Sequence, residues 1–298
     1  MKAPARGLGT GLLLAAVGSI AFSGKAVIIK LAYRYDVDAV TLIMYRMLFA
    51  LPLFAAMAWW ASRNKPRLNS SERWLVLGLG FCGYYLASFL DFAGLIYISA
   101  SLERLIIYLT PTLVLLLGRV LFGQTISGRQ MLGIAASYAG MLLVVGQELS
   151  VAGRDVALGS LLVFGSAISY AVYLTYSGEL VRRLGSLRLV GLATSVACLL
   201  CIGQFLLLRP LQAALVAPEV LWLSVLNATA CTAVPVLLVM MGIERIGARL
   251  TAQVGMVGPL STILLGVWLL DEPFTAWLAA GTMLVIAGIY VFSKSVKA

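Results

Sequence analysis

Ten apolar stretches of about twenty residues, divided by short polar punctuation, leave this chain almost nothing from which to build any other kind of fold. They lie near 8–30, 39–61, 74–97, 101–122, 129–147, 157–177, 188–208, 219–242, 248–270 and 275–293. A helix of about 20 apolar residues crosses the hydrocarbon of a bilayer, and inside it only a helix or a closed barrel satisfies every backbone N–H and C=O. The composition agrees. Apolar residues make up 61% of the chain and charged residues 11%, against roughly 45–50% and 25% in soluble domains; the mean hydropathy is +1.00. The expected fold is therefore an all-α integral membrane protein of ten transmembrane helices, with no soluble domain of any size left over. Lys2 and Arg6 give the first span the look of a signal peptide. It is too long for one and has no small-residue cleavage site before Lys25, so it is read as a helix.

Orientation follows from the basic residues at the span ends. With the N-terminus in the cytoplasm, fifteen of the 22 Lys and Arg fall on that side, five on the other, and Lys25 and Arg46 lie within spans. Such a bias expects both termini to be cytoplasmic. It also accounts for most of the net charge of +10, and with no basic soluble face available no nucleic-acid partner is expected.

The chain repeats itself. Offset by 148 residues, ISASLERLIIYLTPTLVLLLGRVLFG (98–123) falls on IGARLTAQVGMVGPLSTILLGVWLLD (246–271), aligning Pro111 with Pro259 and Gly118 with Gly266. From 98 to 144 the ungapped match holds eleven identities in 47 positions, among them Gly133 with Gly281, Ala139 with Ala287 and Gly140 with Gly288. Apolar composition alone supplies matching leucines, but it does not readily align Pro, Gly and Ala-Gly. Gly11 with Gly159, Trp74 with Trp222 and Gly94 with Gly242 carry the same offset across the whole length.

Two units follow, 1–148 and 149–298, each with five spans. An odd number places the second unit upside down relative to the first, the arrangement of secondary transporters that enclose a site near the bilayer midplane. A proline in the fourth helix of each unit frees backbone carbonyls and permits a hinge beside such a cavity. Membrane helices also simply tolerate proline; its recurrence in both halves favours Pro111 and Pro259 as hinges.

Several stretches resemble the drug/metabolite transporter superfamily, specifically its ten-helix EamA type. They are YRMLFA at 45–50, with Arg46 and Ala50 in an Arg-x-x-x-Ala pattern, PLSTILLGVWLLDEPFT at 259–275, AAGTMLVIAG at 279–288 and MLGIAASYAG at 131–140. The first half departs at the turn, where Gln124-Thr125 replace Glu272-Pro273. The resemblance implies export or uptake of small metabolites, commonly amino acids, across the bacterial cytoplasmic (inner) membrane, and leaves the substrate open.

Ionisable groups within spans cost about 2.5–3.5 kcal/mol each at a helix centre and are functional candidates for that reason. Lys25, Arg46 and Asp91 qualify, with Glu103 and Arg104 nearer a span end; all five fall in the first half, and their repeat mates Tyr173, Thr194, Val239, Thr251 and Ala252 are uncharged. Asp91 paired with Lys25 or Arg46 is read as a gate or a proton site, against a static ion pair tying the helices together. Neutral polar and aromatic residues form a second set. Tyr84, Ser88 and Asp91 fall at i, i+4 and i+7 as one helical stripe, and Ser166, Tyr170 and Tyr173 repeat that spacing. Ser19, Ser23, Tyr108, Asn227 and Gln253 lie within about two turns of their span centres. Rings could pack on a substrate while hydroxyls and amides hold its ends; serines of this kind also serve helix packing alone. Trp59, Trp60, Trp74 and Trp222 stand at span ends, as interfacial aromatics do.

Three functional classes are left: a secondary transporter of small organic solutes, with amino-acid export leading; a membrane enzyme; and a structural or sensory protein. An enzyme of this kind generally needs a histidine-assisted nucleophile, a metal or paired acids, and the chain has no histidine and a single mid-span Asp. There is no GxxxxGK[ST] loop for ATP-driven pumping. Cys82, Cys198, Cys201 and Cys231 sit in apolar spans, where packing rather than metal or disulfide chemistry is expected. No cofactor or metal is expected. The expected partners are a small-molecule substrate and membrane lipid, and one copy of the chain suffices because each half supplies part of one cavity.

Overall fold

The computed structural model describes the backbone of residues 5–123, 125–255 and 257–295, with side chains at 5–7, 151–152, 179, 240, 243–244, 247–250, 252–253 and 292–295 outside the description. All regular structure among the described residues is helical. The first half contains α1 (Ala5–Tyr33), α2 (Ala39–Ser62), α3 (Ser70–Gly94), α4 (Ala100–Phe122) and α5 (Gly128–Ala152). The second contains α6 (Arg154–Leu184), α7 (Ser186–Leu208), α8 (Pro218–Ala228, continuing as a π-turn over Thr229–Ala233 and as Val234–Gly255), α9 (Val257–Leu270) and α10 (Ala276–Ser295). Eight of the described helices are long and apolar enough to cross a membrane; Val257–Leu270 and Ala276–Val291 are shorter apolar helices.

The helix ends follow from local chemistry. Asn69 and Ser127 form capping boxes with Glu72 and Gln130, each satisfying donors that the first turn leaves free. Gly123 closes α4 at φ 66°, a left-handed conformation that favours glycine. Asp38 caps α2 by accepting from the backbone N–H of Val40 (3.0 Å) and Thr41 (3.3 Å), and it takes the Thr41 hydroxyl and Arg209 Nε as well.

The two halves are inverted relative to one another. A Cβ on Gly140 of α5 would stand 2.6 Å from the carbonyl oxygen of Gly281 in α10, and one on Gly288 of α10 would stand 2.5 Å from that of Gly133. Thus α5 and α10 cross antiparallel at the glycines the repeat aligns. Likewise α2 and α7 run antiparallel, with Arg188 beside Ser62, Gly191 against Ala58 and Cys198 against Met47. Contacts between non-equivalent helices obey the same offset: Gly94 meets Val163 while Gly242 meets Ala15, and Gly159 meets Ile98 while Gly11 meets Ile246. Repeat mates that pack antiparallel require oppositely oriented repeats.

One boundary differs from the expectation of separate spans over 219–242 and 248–270. The backbone is helical from Val234 to Gly255. Its neighbours along α1 nevertheless run from Cys231 at Gly24 through Leu238 at Gly18 to Ile246 at Gly11, and then return with Gly255 at Ser19 and Gly258 at Ser23. The chain therefore reverses along α1 between 246 and 255.

Two main apolar cores fill the bundle. One joins α1, α2, α3, α7 and α8 through Ile29, Ile43, Phe54, Phe92 and Cys198. The other joins α4, α5, α6, α9 and α10 through Leu102, Val144, Val163, Ile263 and Val285.

Candidate functional site

Both repeats break the helical ladder at matched positions. In α3 a π-turn covers Phe81–Leu86 and in α8 one covers Thr229–Ala233, starts that are separated by the repeat offset of 148. A π-turn leaves the i→i−4 ladder locally and is common at functional sites. In α4 the helix stops at Ile107 and restarts at Thr110, with Pro111 in the first turn of the second piece. In the other half the repeat mate of Pro111, Pro259, lies buried in the helical stretch Val257–Leu270. Proline lacks the N–H that would continue the ladder; the Thr110 hydroxyl donates to the Ile107 carbonyl that Pro111 leaves without a partner, and the Thr112 hydroxyl adds to the backbone bonds at the Leu109 carbonyl.

The break in α4 faces the second repeat. Tyr108 Oη donates to the Gly255 carbonyl, and a Cβ on Gly258 would stand 2.8 Å from the same hydroxyl. Ser23 Oγ of α1 lies 2.8 Å from both Gly258 O and Ser19 O, so its one proton is shared between two carbonyls. Ser19, Ser23 and Tyr108 thus meet where the break in α4 reaches Gly255 and Gly258 of the second repeat.

Next to this junction lies the charged cluster. Lys25 Nζ is 2.6 Å from Asp91 Oδ2 and 3.5 Å from Glu103 Oε1. The two carboxyl side chains are 2% and 0% exposed, and Lys25 is 16% exposed. Asp91 Oδ1 and both Glu103 oxygens have no hydrogen-bond partner. Arg104 is 4.0 Å from Glu103, but its guanidinium is turned to α9 and α1: Nε donates to Thr262 Oγ1 at 2.9 Å and Nη2 to Phe22 O at 3.1 Å. Arg104 therefore binds the second repeat to the first through groups 158 residues apart in sequence.

Arg46 does not join that cluster. Its Nη1 donates to Ser88 Oγ at 3.5 Å and Nη2 to Thr232 Oγ1 at 3.3 Å, and the guanidinium lies 5.3 Å from the centre of the Phe92 ring. Asn227 sits one π-turn away on α8, its carbonyl accepting from Thr232 Oγ1 at 2.8 Å.

The stripe expected from Tyr84, Ser88 and Asp91 is split. Tyr84 lies within the π-turn, whose wider winding breaks the i, i+4, i+7 register, and it packs edge-on to Tyr173 of α6 at 5.1 Å with a hydroxyl contact of 3.3 Å. Ser88 and Asp91 lie beyond it and face Arg46 and Lys25. Tyr170 stacks on Tyr173 at 5.6 Å, so three tyrosines gather beside α3. The Gln253 side chain lies outside the described residues.

Sequence reasoning missed Thr232 and Thr262, because threonine in an apolar helix carries no signal until a charged partner is known to face it. It also missed the work of Glu272 at the surface where α1 ends. Glu272 accepts from the Ala100 and Ser101 N–H groups (2.6 and 3.2 Å) and from Ser101 Oγ (2.6 Å), capping α4 from the other repeat. It borders a cleft of about 560 Å³ with Lys30, Tyr33, Arg34, Ser99 and Glu148.

Comparison with known proteins agrees with this architecture. A model of the EamA-like transporter family matches residues 9–146 and again 157–294. The chain is 29% identical over 276 residues to the uncharacterized transporter YcbK of Bacillus subtilis (strain 168), covering 88% of this chain and 86% of the relative. It is 25% identical over 285 residues to an uncharacterized transporter of Archaeoglobus fulgidus, covering 94% and 96%. A solved crystal structure 20% identical in sequence superimposes with a TM-score of 0.63 over 97% of this chain and 99% of that one, a likeness of fold. With two family matches that together span nearly the whole bundle, the chain belongs to the EamA-like transporter family.

Proposed function

We propose that this transporter carries small organic solutes with charged ends, amino acids or related metabolites foremost, outward across the bacterial cytoplasmic membrane by alternating access, with both termini in the cytoplasm. The observation that supports the reading most is the contact of the broken α4 with the second repeat, Tyr108 on Gly255, placed between inverted repeats and beside Lys25 and the buried Asp91 and Glu103. In this reading the units 1–148 and 149–298 rock about Pro111 and Pro259. Ser19, Ser23, Tyr84, Ser88, Tyr108, Tyr173, Asn227 and Gln253 contribute to the solute pocket, and the charged cluster opens and closes beside it. Discontinuous helices at a repeat interface supply unpaired carbonyls and helix ends to a bound solute.

Proton coupling is a second reading, favoured by Glu103. A fully buried carboxyl with no hydrogen-bond donor, facing Lys25 of α1 and Asp91 of α3 with Arg104 turned away, is suited to take up and release a proton during the cycle.

Uptake and counterflow of labelled amino acids and small metabolites into liposomes holding only this chain tests both readings. Saturable flux without a proton gradient supports a facilitative carrier; flux only with the gradient supports coupling through Glu103 or Asp91. If solute distribution stays at the level of empty liposomes for the whole panel, the transport reading fails in favour of a structural or sensory role.

A further inference from the structure

We propose that Arg46, with Ser88 and Thr232 beside it, is a carboxylate seat, so that the solute carried by this chain bears an anionic head; the inference rests on the transport reading and narrows its substrate class.

Arg46 is 6% exposed and lies within the membrane-crossing span of α2. Among the described residues no carboxylate approaches it within ion-pair distance. Asp91, on the neighbouring helix, is held by Lys25 at 2.6 Å. What Arg46 has instead is two long hydrogen bonds to neutral hydroxyls, at 3.5 and 3.3 Å, and the face of Phe92. Its Nε has no partner. A guanidinium presents five donors in a planar fork that matches a carboxylate in two parallel hydrogen bonds. Here most of that fork is unused in a place where an uncompensated charge is costly.

The surroundings also favour a ligand over a scaffold. Thr232 belongs to the π-turn of α8 and Ser88 follows that of α3 by two residues, so Arg46 reaches across to the irregular turns of both repeats. The equivalent contact in the other half, Arg46 to Thr232 shifted by 148 on one side and back on the other, is Thr194 facing Tyr84, an uncharged pair. If a polar group were needed only to join these helices, the uncharged pair would serve in both halves. The charge is present in one. Ser88 and Thr232 can each accept from the guanidinium or turn to donate to a carboxylate oxygen, and Asp91 Oδ1, one turn beyond Ser88 and without a hydrogen-bond partner, suits an ammonium on the same solute.

The test uses the full chain in nanodiscs, with ionic strength held constant by a bulky sulfonate. Its thermal midpoint is followed while acetate, butyrate or phenylacetate is titrated, and again with the neutral amides of the same acids. The expected result is a saturable rise with the carboxylates and none with the amides, with the half-saturating concentration raised at least tenfold in Arg46→Gln and several-fold in Ser88→Ala or Thr232→Val. Acids and amides acting alike, chloride acting as well as the carboxylates, or an unchanged midpoint in Arg46→Gln would each overturn the seat. Should Arg46→Gln fail to fold, Ser88→Ala and Thr232→Val keep the charge and are read in the same way, an unchanged half-saturation in both being fatal. Flux is scored separately. Carboxylate-selective stabilisation without flux removes the transport reading and leaves the seat; flux of neutral solutes untouched by Arg46→Gln does the reverse.

Discussion

Lys25 Nζ lies 2.6 Å from Asp91 Oδ2, an ion pair between α1 and α3 with the carboxylate 2% exposed. A buried pair is weak evidence of stability as a whole, yet breaking one by removing a single partner typically costs about 3–5 kcal/mol, because the other charge is left uncompensated. Glu103 stands 3.5 Å away and can take over Lys25, so Asp91→Asn is expected at the lower end of that range. Lys25→Met strands two carboxylates and is expected to cost more. The double variant should recover part of the loss, since it removes the Asp91 charge but leaves Glu103 without Lys25. Thermal midpoints of the four proteins in one detergent check the order; a double variant no better than Lys25→Met would mean the two residues are not energetically coupled. In flux assays Asp91→Asn with undiminished rate and unchanged pH dependence would remove both gate and proton roles from Asp91.

The all-helical bundle, its inversion and the special status of the fourth helix were legible because they depend on patterns that survive in one dimension: run length, an odd number of spans and a repeated proline. The π-turns were not. FCGYYL and TACTA contain no proline, and an extra residue per turn leaves no compositional trace, so a 3.6-residue stripe drawn through Tyr84, Ser88 and Asp91 pointed all three in one direction. Partner choice was equally hidden. Asp91 offered itself to Lys25 and Arg46 alike, and only the relative rotation of α1, α2 and α3 assigns it to Lys25. The meeting of Arg104 with Thr262 depends on how the second repeat docks on the first.

Glu272 ties the α9–α10 turn to the start of α4 through two backbone N–H groups and the Ser101 hydroxyl. A carboxylate at a helix N-terminus contributes roughly 0.3–1 kcal/mol at the surface and up to about 2 kcal/mol when partly buried. This bond crosses between repeats at one membrane face, so it must loosen for that face to open. Glu272→Gln, which keeps the shape and removes the charge, is expected to weaken closure there and raise the labelling rate of a cysteine placed at Ser99 by membrane-impermeant maleimide several-fold. Equal labelling in the two backgrounds would show that Glu272 does not hold the face shut.

Asp38 gives a pH prediction outside the membrane. Burial acts to raise its pKa, but hydrogen bonds from the Thr41 side chain and Arg209, then the Thr41 N–H and the Arg209 charge, outweigh it and hold the carboxyl below its ordinary value. A carboxyl depressed in the folded state stabilises the fold above its unfolded pKa of about 3.9, and that contribution is lost as pH falls through the folded value. The group is more than a third exposed, so solvent screens the Arg209 pair and the helix cap dominates. Asp38→Ala is expected to lose about 0.5–2 kcal/mol at pH 7, with a gap from the native chain that narrows on acidification below about pH 4. Thermal unfolding of both proteins from pH 7 to pH 3 checks this; a constant gap would assign the effect to something other than the charged cap.

Pro111 follows the break in α4, and its repeat mate Pro259 lies four residues beyond Gly255, which Tyr108 reaches. If both prolines mark hinges, restoring a backbone donor at each should stiffen them. Proline in a helix interior is about 3 kcal/mol less favourable than alanine, though in the first turn of a helical segment it is well tolerated. Pro111→Ala and Pro259→Ala should therefore leave stability unchanged or slightly raised while lowering flux several-fold, and the double variant should lower it further. Tyr108→Phe supplies the contrast, since it leaves both prolines in place, deletes one hydrogen bond worth about 0.5–1.5 kcal/mol and leaves the Gly255 carbonyl free. It should lower the thermal midpoint and loosen the junction without freezing it. Initial rates and thermal midpoints measured on the same preparations separate the cases: slower transport at undiminished stability marks a hinge, whereas parallel losses of both in the proline variants would make the two prolines mere packing features.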